Sequence, residues 1–286
     1  MKSRQLGLMH LVILLCLSVF AFSTHSAASQ KDGLLKIYFF NVGQGDSIFI
    51  ETPSGHQILI DGGPGGKVLS KLGGVMPFYD KNINLVVMTH PDADHASGLV
   101  EVLEKYEVEN VVFSDIESEK ALYLAWKELV EKEGANIIDP ILGKIIDLGD
   151  GVILHIIYPS ESLTGQRFDK TNNNSIVAML DYKDLEVLLT GDIEVKGERA
   201  ILIEGVDVDA DILKIAHHGS KTSSMEEFLS AVSPEVAVIQ VGAENRYSHP
   251  TEEVLKRLDD FGIKYYRNDL DGDIKITSDG NSFIIN

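Results

Sequence analysis

Cysteine is almost missing from this chain of 286 residues, which has only Cys16. That excludes a disulfide framework and a cysteine-rich zinc ribbon. Positive charge is scarce. There are 25 Lys and Arg against 44 Asp and Glu, a formal net charge of −19 at pH 7. Such a balance excludes a general nucleic-acid coat and a binder of anionic membranes, which both need net positive surface. It leaves room for a locally basic cleft. There is no proline-rich linker and no long low-complexity stretch. What is present is an ordinary globular mixture, 44% hydrophobic and 24% charged, which excludes a disordered or collagen-like chain.

The one long apolar run is N-terminal. Lys2 and Arg4 precede residues 6–22, and Ser23-Thr24-His25-Ser26-Ala27-Ala28-Ser29 follow. A positive start, an apolar stretch and the small residues Ser26 and Ala28 at −3 and −1 mark residues 1–28 as a secretory signal peptide. The run is short for a bilayer span, so cleavage after Ala28 is expected, with an uncleaved N-terminal anchor as the alternative. The remaining domain, residues 29–286, is expected to be secreted, with no stable membrane span and no cysteine. Losing Lys2 and Arg4 lowers its net charge by two, to −21. It is long enough for a full core as one domain.

Apolar runs and alternation predict strands at residues 34–40, 47–51, 57–60, 85–88, 111–113, 152–158, 175–181, 185–189, 212–215, 236–241, 274–276 and 282–285. Helical spacing predicts helices at 96–105, 118–133, 195–203, 224–232 and 251–261, with Trp126 in the core. Two sheets packed face to face with helices outside satisfy this order. Periodicity alone does not choose that over another mixed α/β layer fold.

The chemistry gathers at strand ends. Thr89-His90-Pro91-Asp92-Ala93-Asp94-His95 packs four metal-ligand side chains into six residues after a buried strand. Pro91 bars a helix interior, so the motif is expected on a loop. Imidazole and carboxylate are the donors of hydrolytic zinc, iron and manganese sites. A helix cap explains one of the aspartates but not two flanking histidines. Asp192 follows another apolar strand, and His217-His218 a third. Each is weak alone; together they make a two-metal site the economical account. Two glycine-rich stretches fail as nucleotide motifs. Residues 61–68 lack the first glycine of a phosphate loop and the Ser or Thr after its lysine. Gly43-x-Gly45 lacks the third glycine of a dinucleotide fingerprint.

With these motifs the chain resembles the metallo-β-lactamase superfamily, whose pattern is His-x-His-x-Asp-His, a further His, a bridging Asp and a last His. The resemblance implies an α/β fold, a four-layer αββα sandwich. It also implies metal ligands at His90, Asp92, Asp94 and His95, Asp192 as the bridge, and His217 or His218 as the last ligand. His217 is favoured because it follows the strand directly. Asp61 fits a turn that lies near the metals in this family. Two departures stand out. Asp92 takes the place of the second histidine, and no histidine lies between His155 and His217, where residues 171–175 stand instead. In this variant the chain is similar to the extracytoplasmic hydrolase-like domain of the ComEC type of DNA-uptake protein, through residues 41–46, 90–95, 172–175, 189–192, 217–222 and 245–250. Its motifs are also similar to those of the pneumococcal phosphorylcholine esterase.

The function implied is a metal-dependent phosphodiesterase or nuclease using a hydroxide shared by two divalent ions, zinc or manganese, on a phosphodiester such as extracellular DNA. The added carboxylate moves preference away from zinc alone. Asp94 is expected to orient the nucleophile. His218 and His249 are expected to contact the substrate or protonate the leaving group. Lys170, Lys221 and Arg246 are expected to form a basic rim. The alternatives are a small-ester hydrolase, acting on a phosphocholine ester or a lactone, and a noncatalytic DNA-binding module of the same fold.

Overall fold

The computed structural model describes residues 33–286. The expected signal peptide, residues 1–28, lies outside them. In chain order the first half forms β1 (Leu35–Phe39), β2 (Ile48–Glu51), β3 (Gln57–Ile60), α1 (Lys67–Val75), β4 (Asn82–Val87), α2 (Ala93–Leu103), β5 (Glu107–Val112), α3 (Ala121–Glu133) and β6 (Asn136–Ile138). The second half forms β7 (Ile145–Asp147), β8 (Val152–Tyr158), β9 (Val177–Tyr182), β10 (Leu185–Leu189), α4 (Val195–Glu204), β11 (Ile212–Lys214), α5 (Glu226–Val232), β12 (Val236–Ile239), α6 (Glu252–Asp260), β13 (Lys264–Arg267), α7 (Asn268–Asp271), β14 (Ile274–Ser278) and β15 (Phe283–Ile285).

These strands make two sheets, one ordered β15-β14-β1-β2-β3-β4-β5-β6 and the other β13-β12-β11-β10-β9-β8-β7. The C-terminal hairpin therefore closes onto β1, as Leu35–Phe39 pairs antiparallel with Ile274–Ser278. Strand alternation divides the apolar residues between three cores. Leu35, Ile37 and Phe39 of β1, Leu85 and Val87 of β4, Leu180 of β9 and Val187 of β10 fill the space between the sheets. The other face of the first sheet, with Phe49, Leu59 and Val86, packs on Val68, Leu99 and Trp126 from α1, α2 and α3. The other face of the second sheet, with Met179, Leu188 and Ala237, packs on Ile201, Leu229 and Val254 from α4, α5 and α6. Helix, sheet, sheet and helix thus stack as expected, each sheet buried on both faces.

Each sheet contains a parallel run, β3-β4-β5-β6 and β10-β11-β12-β13. Parallel strands send their C-terminal ends to one edge, where connecting loops gather side chains. Asp61 follows β3, residues 89–92 follow β4, Asp192 follows β10 and His217-His218 follow β11.

Three features depart from the sequence reading. Helix α2 begins at Ala93 rather than 96. Asp94 and His95 therefore sit in its first turn and not on a loop. Pro91 permits this because it stands just ahead of the N-cap residue Asp92, where no amide donor is needed. Helix α1 follows a run of glycines and contains Gly73-Gly74, which hid it. Strands β6, β7 and β13 are short and partly exposed, so they carry little apolar pattern. Among the described residues no helix is long and apolar enough to cross a membrane.

Candidate metal centre

Asp61 leaves β3 in a left-handed conformation, φ 57°. Its carboxylate accepts from the Thr89 amide at 2.8 Å and the Thr89 hydroxyl at 2.6 Å. It also lies 2.7 Å from His95 Nδ1. Holding Nδ1 fixes the ring and turns Nε2 toward the centre. Helix α2 comes this close because Gly62 and Gly98 lack side chains: a Cβ on Gly98 would lie 1.9 Å from the Gly62 carbonyl oxygen. Gly45, from the failed nucleotide motif, has a similar purpose. A Cβ there would lie 2.1 Å from the Asp94 carbonyl oxygen, which instead accepts a hydrogen bond from the Asp46 amide at 3.2 Å. That contact brings Asp46 beneath the histidines.

After β11 the chain places two consecutive residues in the left-handed region, His217 at φ 50° and His218 at φ 55°. Neither is glycine, so each costs about 1–3 kcal/mol of backbone strain. The kink turns His218 inward, with Nδ1 2.9 Å from the Gln240 carbonyl oxygen and Nε2 toward the site. It leaves His217 at the edge.

Asp94, His95, Asp192 and His218 converge, one ligand atom from each lying within 4.8 Å of all the others. Asp192 Oδ2 is 3.3 Å from His95 Nε2 and 3.4 Å from His218 Nε2, and Asp94 Oδ2 is 3.4 Å from His218 Nε2. Among the described residues this is the one four-donor group. It contains His218 where the sequence reading favoured His217. The His217 Nε2 is 3.9 Å from Asp192 Oδ2 and 3.2 Å from Asn172 Nδ2, and its other nitrogen is 3.3 Å from the Thr222 hydroxyl. The reason for the exchange is the left-handed turn, which no side-chain pattern reveals.

His90 and Asp92 stand beside this group without joining it. His90 Nε2 is 3.8 Å from Asp92 Oδ2, and its ring centre is 4.1 Å from that of His95. Asp92 does not cap α2 with its side chain. Its Oδ1 instead accepts from Lys120 Nζ and from the Thr171 hydroxyl, each at 2.9 Å.

Burial and charge set the protonation of these groups. Burial, with His95 alongside, pulls His90 down to about 4, so it is a neutral donor near pH 7. Burial also lowers His218, yet Asp192 and Asp46 overcome it and hold the ring up at about 9. His95 is likewise raised against burial, by Asp192, Asp61 and Asp46. Asp192 is held well below the usual range against its own burial, by His218 and His95, and Asp94 is lowered mainly by His218. Two buried imidazolium rings beside ionised carboxylates are a proton-filled ligand set, and a metal must displace those protons.

The donor set fits a divalent cation. His90 Nε2, His95 Nε2, His218 Nε2 and Asp192 Oδ1 are buried without a hydrogen-bond partner. The 3.3 Å approach of His95 to Asp192 lacks hydrogen-bond alignment. Buried polar atoms are seldom left so unless something else binds them. Two imidazoles and two carboxylates are the donor types of hydrolytic metal sites.

His249, the third residue read as catalytic, lies outside the four-donor group. Its ring centre is 5.6 Å from that of His217 and it stacks on Tyr247 at 5.7 Å. Burial, with His217 and His218 nearby, pulls it down to about 4, so it carries no proton to donate from an imidazolium near pH 7. Lys170, Lys221 and Arg246 are all exposed. The Arg246 guanidinium donates to the Tyr247 hydroxyl at 2.8 Å and lies in the field of Asp94.

Four further residues belong to the neighbourhood. Lys214 is wholly buried, ion-paired with Asp46, 2.9 Å from the Gly191 carbonyl oxygen and 3.8 Å from Asp192 Oδ1. Asp46 in turn lies 3.3 Å from His218 Nδ1. A lysine within the apolar segment Ile212-Leu213-Lys214-Ile215 was the available signal. Lys120 and Thr171 left none. A cavity of about 430 Å³, lined by His56, Ile58, Asn84, Asp147 and others, contains none of these groups.

Residues 40–242 match a family described as the metallo-beta-lactamase superfamily. The chain is 30% identical over 270 residues to ComE operon protein 3 of Bacillus subtilis (strain 168), covering 84% of this chain and 32% of that protein. It is 31% identical over 274 residues to competence protein ComA of Neisseria gonorrhoeae, covering 94% and 36%. It thus spans about a third of the length of these curated relatives. Among solved structures, CmlA, a diiron beta-hydroxylase from Streptomyces venezuelae, is similar with a TM-score of 0.54 at 14% identity, over 87% of this chain and 54% of that one. That likeness concerns the fold alone.

Proposed function

Because the chain belongs to the metallo-β-lactamase superfamily, we propose that it is an extracytoplasmic, metal-dependent hydrolase of phosphodiester bonds. The observation that carries this reading is the four-donor group of Asp94, His95, Asp192 and His218, with its unpartnered buried nitrogens. These four would hold one ion. His90 and Asp92, beside Asp192, would hold a second, of zinc or manganese like the first. Bound there, divalent ions supply Lewis acidity and a nucleophile near neutral pH.

The protein's own groups do the rest. Asp94, partly exposed in the first turn of α2, orients the attacking water. Asp61 and the Gln240 carbonyl hold the two central imidazoles by their Nδ1 atoms, so the ligands need no rearrangement. His249 and Arg246 border the group and contact the phosphoryl oxygens. Three considerations support a phosphodiester: the oxygen-rich donor set, the exposed cations Lys170, Lys221 and Arg246 in loops next to site residues, and relatives whose names place them in competence. Extracellular DNA is the proposed source of that bond.

The test is hydrolysis of a linear DNA and of bis(p-nitrophenyl) phosphate with manganese or zinc, beside a His95→Ala control. We expect metal-dependent cleavage that the control loses by at least about a hundredfold. A metal-loaded protein that cleaves neither substrate would overturn the phosphodiesterase reading. Turnover of a lactone or carboxylic ester instead would establish the small-ester hydrolase.

A further inference from the structure

The two halves of the metal centre are built unequally. One half has four mutually close donors. Among the described residues the other has, besides the shared Asp192, two donors of its own, His90 Nε2 and Asp92 Oδ2, 3.8 Å apart. The segment standing where a third imidazole is expected supplies none. Its Thr171 hydroxyl bonds Asp92. Its Ser175 hydroxyl lies 3.3 Å from His90 Nδ1 and accepts the Asp192 amide at 3.1 Å. Its Asn172 faces His217. These residues hold the donors from behind and add none in front.

A positive charge already stands at this poorer half. Lys120, the residue ahead of α3, reaches 2.9 Å from Asp92 Oδ1. Its side chain is 53% exposed, against 29% for Asp92. That carboxylate therefore carries an ammonium and a hydroxyl on one oxygen and offers only the other to His90.

We infer that Lys120 is the resident cation of the second metal position and sets the second ion's affinity below the first. The inference rests on the proposed two-ion reading of this site. An ion arriving between His90 and Asp92 meets a carboxylate whose charge Lys120 already balances, and it is repelled by the ammonium at short range. It must displace Lys120 into solvent, which half-exposure permits. In the four-donor group the nearest lysine, Lys214, is held by Asp46 and stands 3.8 Å from Asp192 Oδ1, the oxygen other than the one facing the imidazoles. Four donors against two therefore let the first ion bind there once the imidazoles give up their protons. At low metal concentration the chain works with one ion and one lysine, and the ammonium then faces the anionic substrate.

The experiment is manganese binding to the purified chain by equilibrium dialysis, reading the free ion by its paramagnetic resonance, with no substrate present. In the wild-type chain we expect two classes of site, the second weaker by at least about tenfold. Lys120→Ala should tighten the second class by about tenfold and leave the first within twofold. Lys120→Arg should keep the wild-type separation. An exposed ion pair adds little to stability, so equal melting temperatures for the three proteins serve as the folding control. Two equal classes in the wild-type chain would overturn the inference, as would a second class that Lys120→Ala does not change. Both outcomes would leave the hydrolase reading standing. Absence of any binding to the wild-type chain would overturn that reading and this inference together.

Discussion

Lys214 ends a three-residue strand whose every side chain is buried. An ammonium there is bearable only because Asp46 pairs with it and the Gly191 carbonyl accepts from it. Removing one partner of such a pair leaves the other charged and dry. We expect Lys214→Met to lower stability by about 3–5 kcal/mol. Adding Asp46→Asn should recover most of that loss, since the orphaned carboxylate is gone. Urea unfolding of the two single variants and the double decides it. A double variant no better than Lys214→Met alone would refute the pairing. The sequence makes this lysine visible as a charge among apolar neighbours, but it does not point to Asp46, which lies far away in the chain. The donor residue types were legible in the same way. Motif spacing brings out His90, Asp92, Asp94, His95, Asp192 and the histidine pair, and of these the fold draws Asp94, His95, Asp192 and His218 into one group. Which member of the pair turns inward depends on two left-handed φ angles, and those leave no mark on side-chain pattern.

Between elements, Glu198 of α4 joins two helices. Its buried carboxyl accepts from the amides of Ser224 and Met225, at the start of α5. Arg257 of α6 donates to the carbonyls of Ser223 and Ser224. Burial outweighs those two amide donors and pushes the Glu198 carboxyl from 4.5 up to about 7. The folded chain then holds this proton more tightly than the unfolded chain. Its stabilising contribution is complete below about pH 4.5 and is lost as pH rises toward 7, up to about 3 kcal/mol in all. Glutamine mimics the protonated form. Glu198→Gln should therefore gain on the wild-type chain as pH goes from 5 to 8, read from urea midpoints at each pH. A constant difference across that range would contradict the buried proton. Elements were legible where apolar pattern was strong. The central strands β4, β8, β9, β10 and β12 were recovered, as were the helices α3 to α6. Strands β6, β7 and β13 line sheet edges or are only half covered, and partial burial erases the alternation that announces a strand.

Across the whole molecule, charge and site pull in opposite directions. The chain carries −19, while Lys170, Lys221 and Arg246 are exposed cations in loops after strands. A long polyanion feels the acidic body over many ångströms, whereas a short diester feels mainly the charges nearest the site. Salt screens the longer-range effect first, because the Debye length shrinks from about 20 Å at about 20 mM to about 8 Å at about 150 mM. For a long DNA substrate, kcat/KM should therefore rise over that salt range. For a dinucleotide or bis(p-nitrophenyl) phosphate it should change little. A protein coated in positive charge behaves the other way, losing affinity steeply as counterion release is suppressed. Measuring both substrates across one salt series separates the cases. A steep fall for the long strand would mean that basic side chains follow its backbone well beyond the site, and that the acidic body lies away from the path the nucleic acid takes.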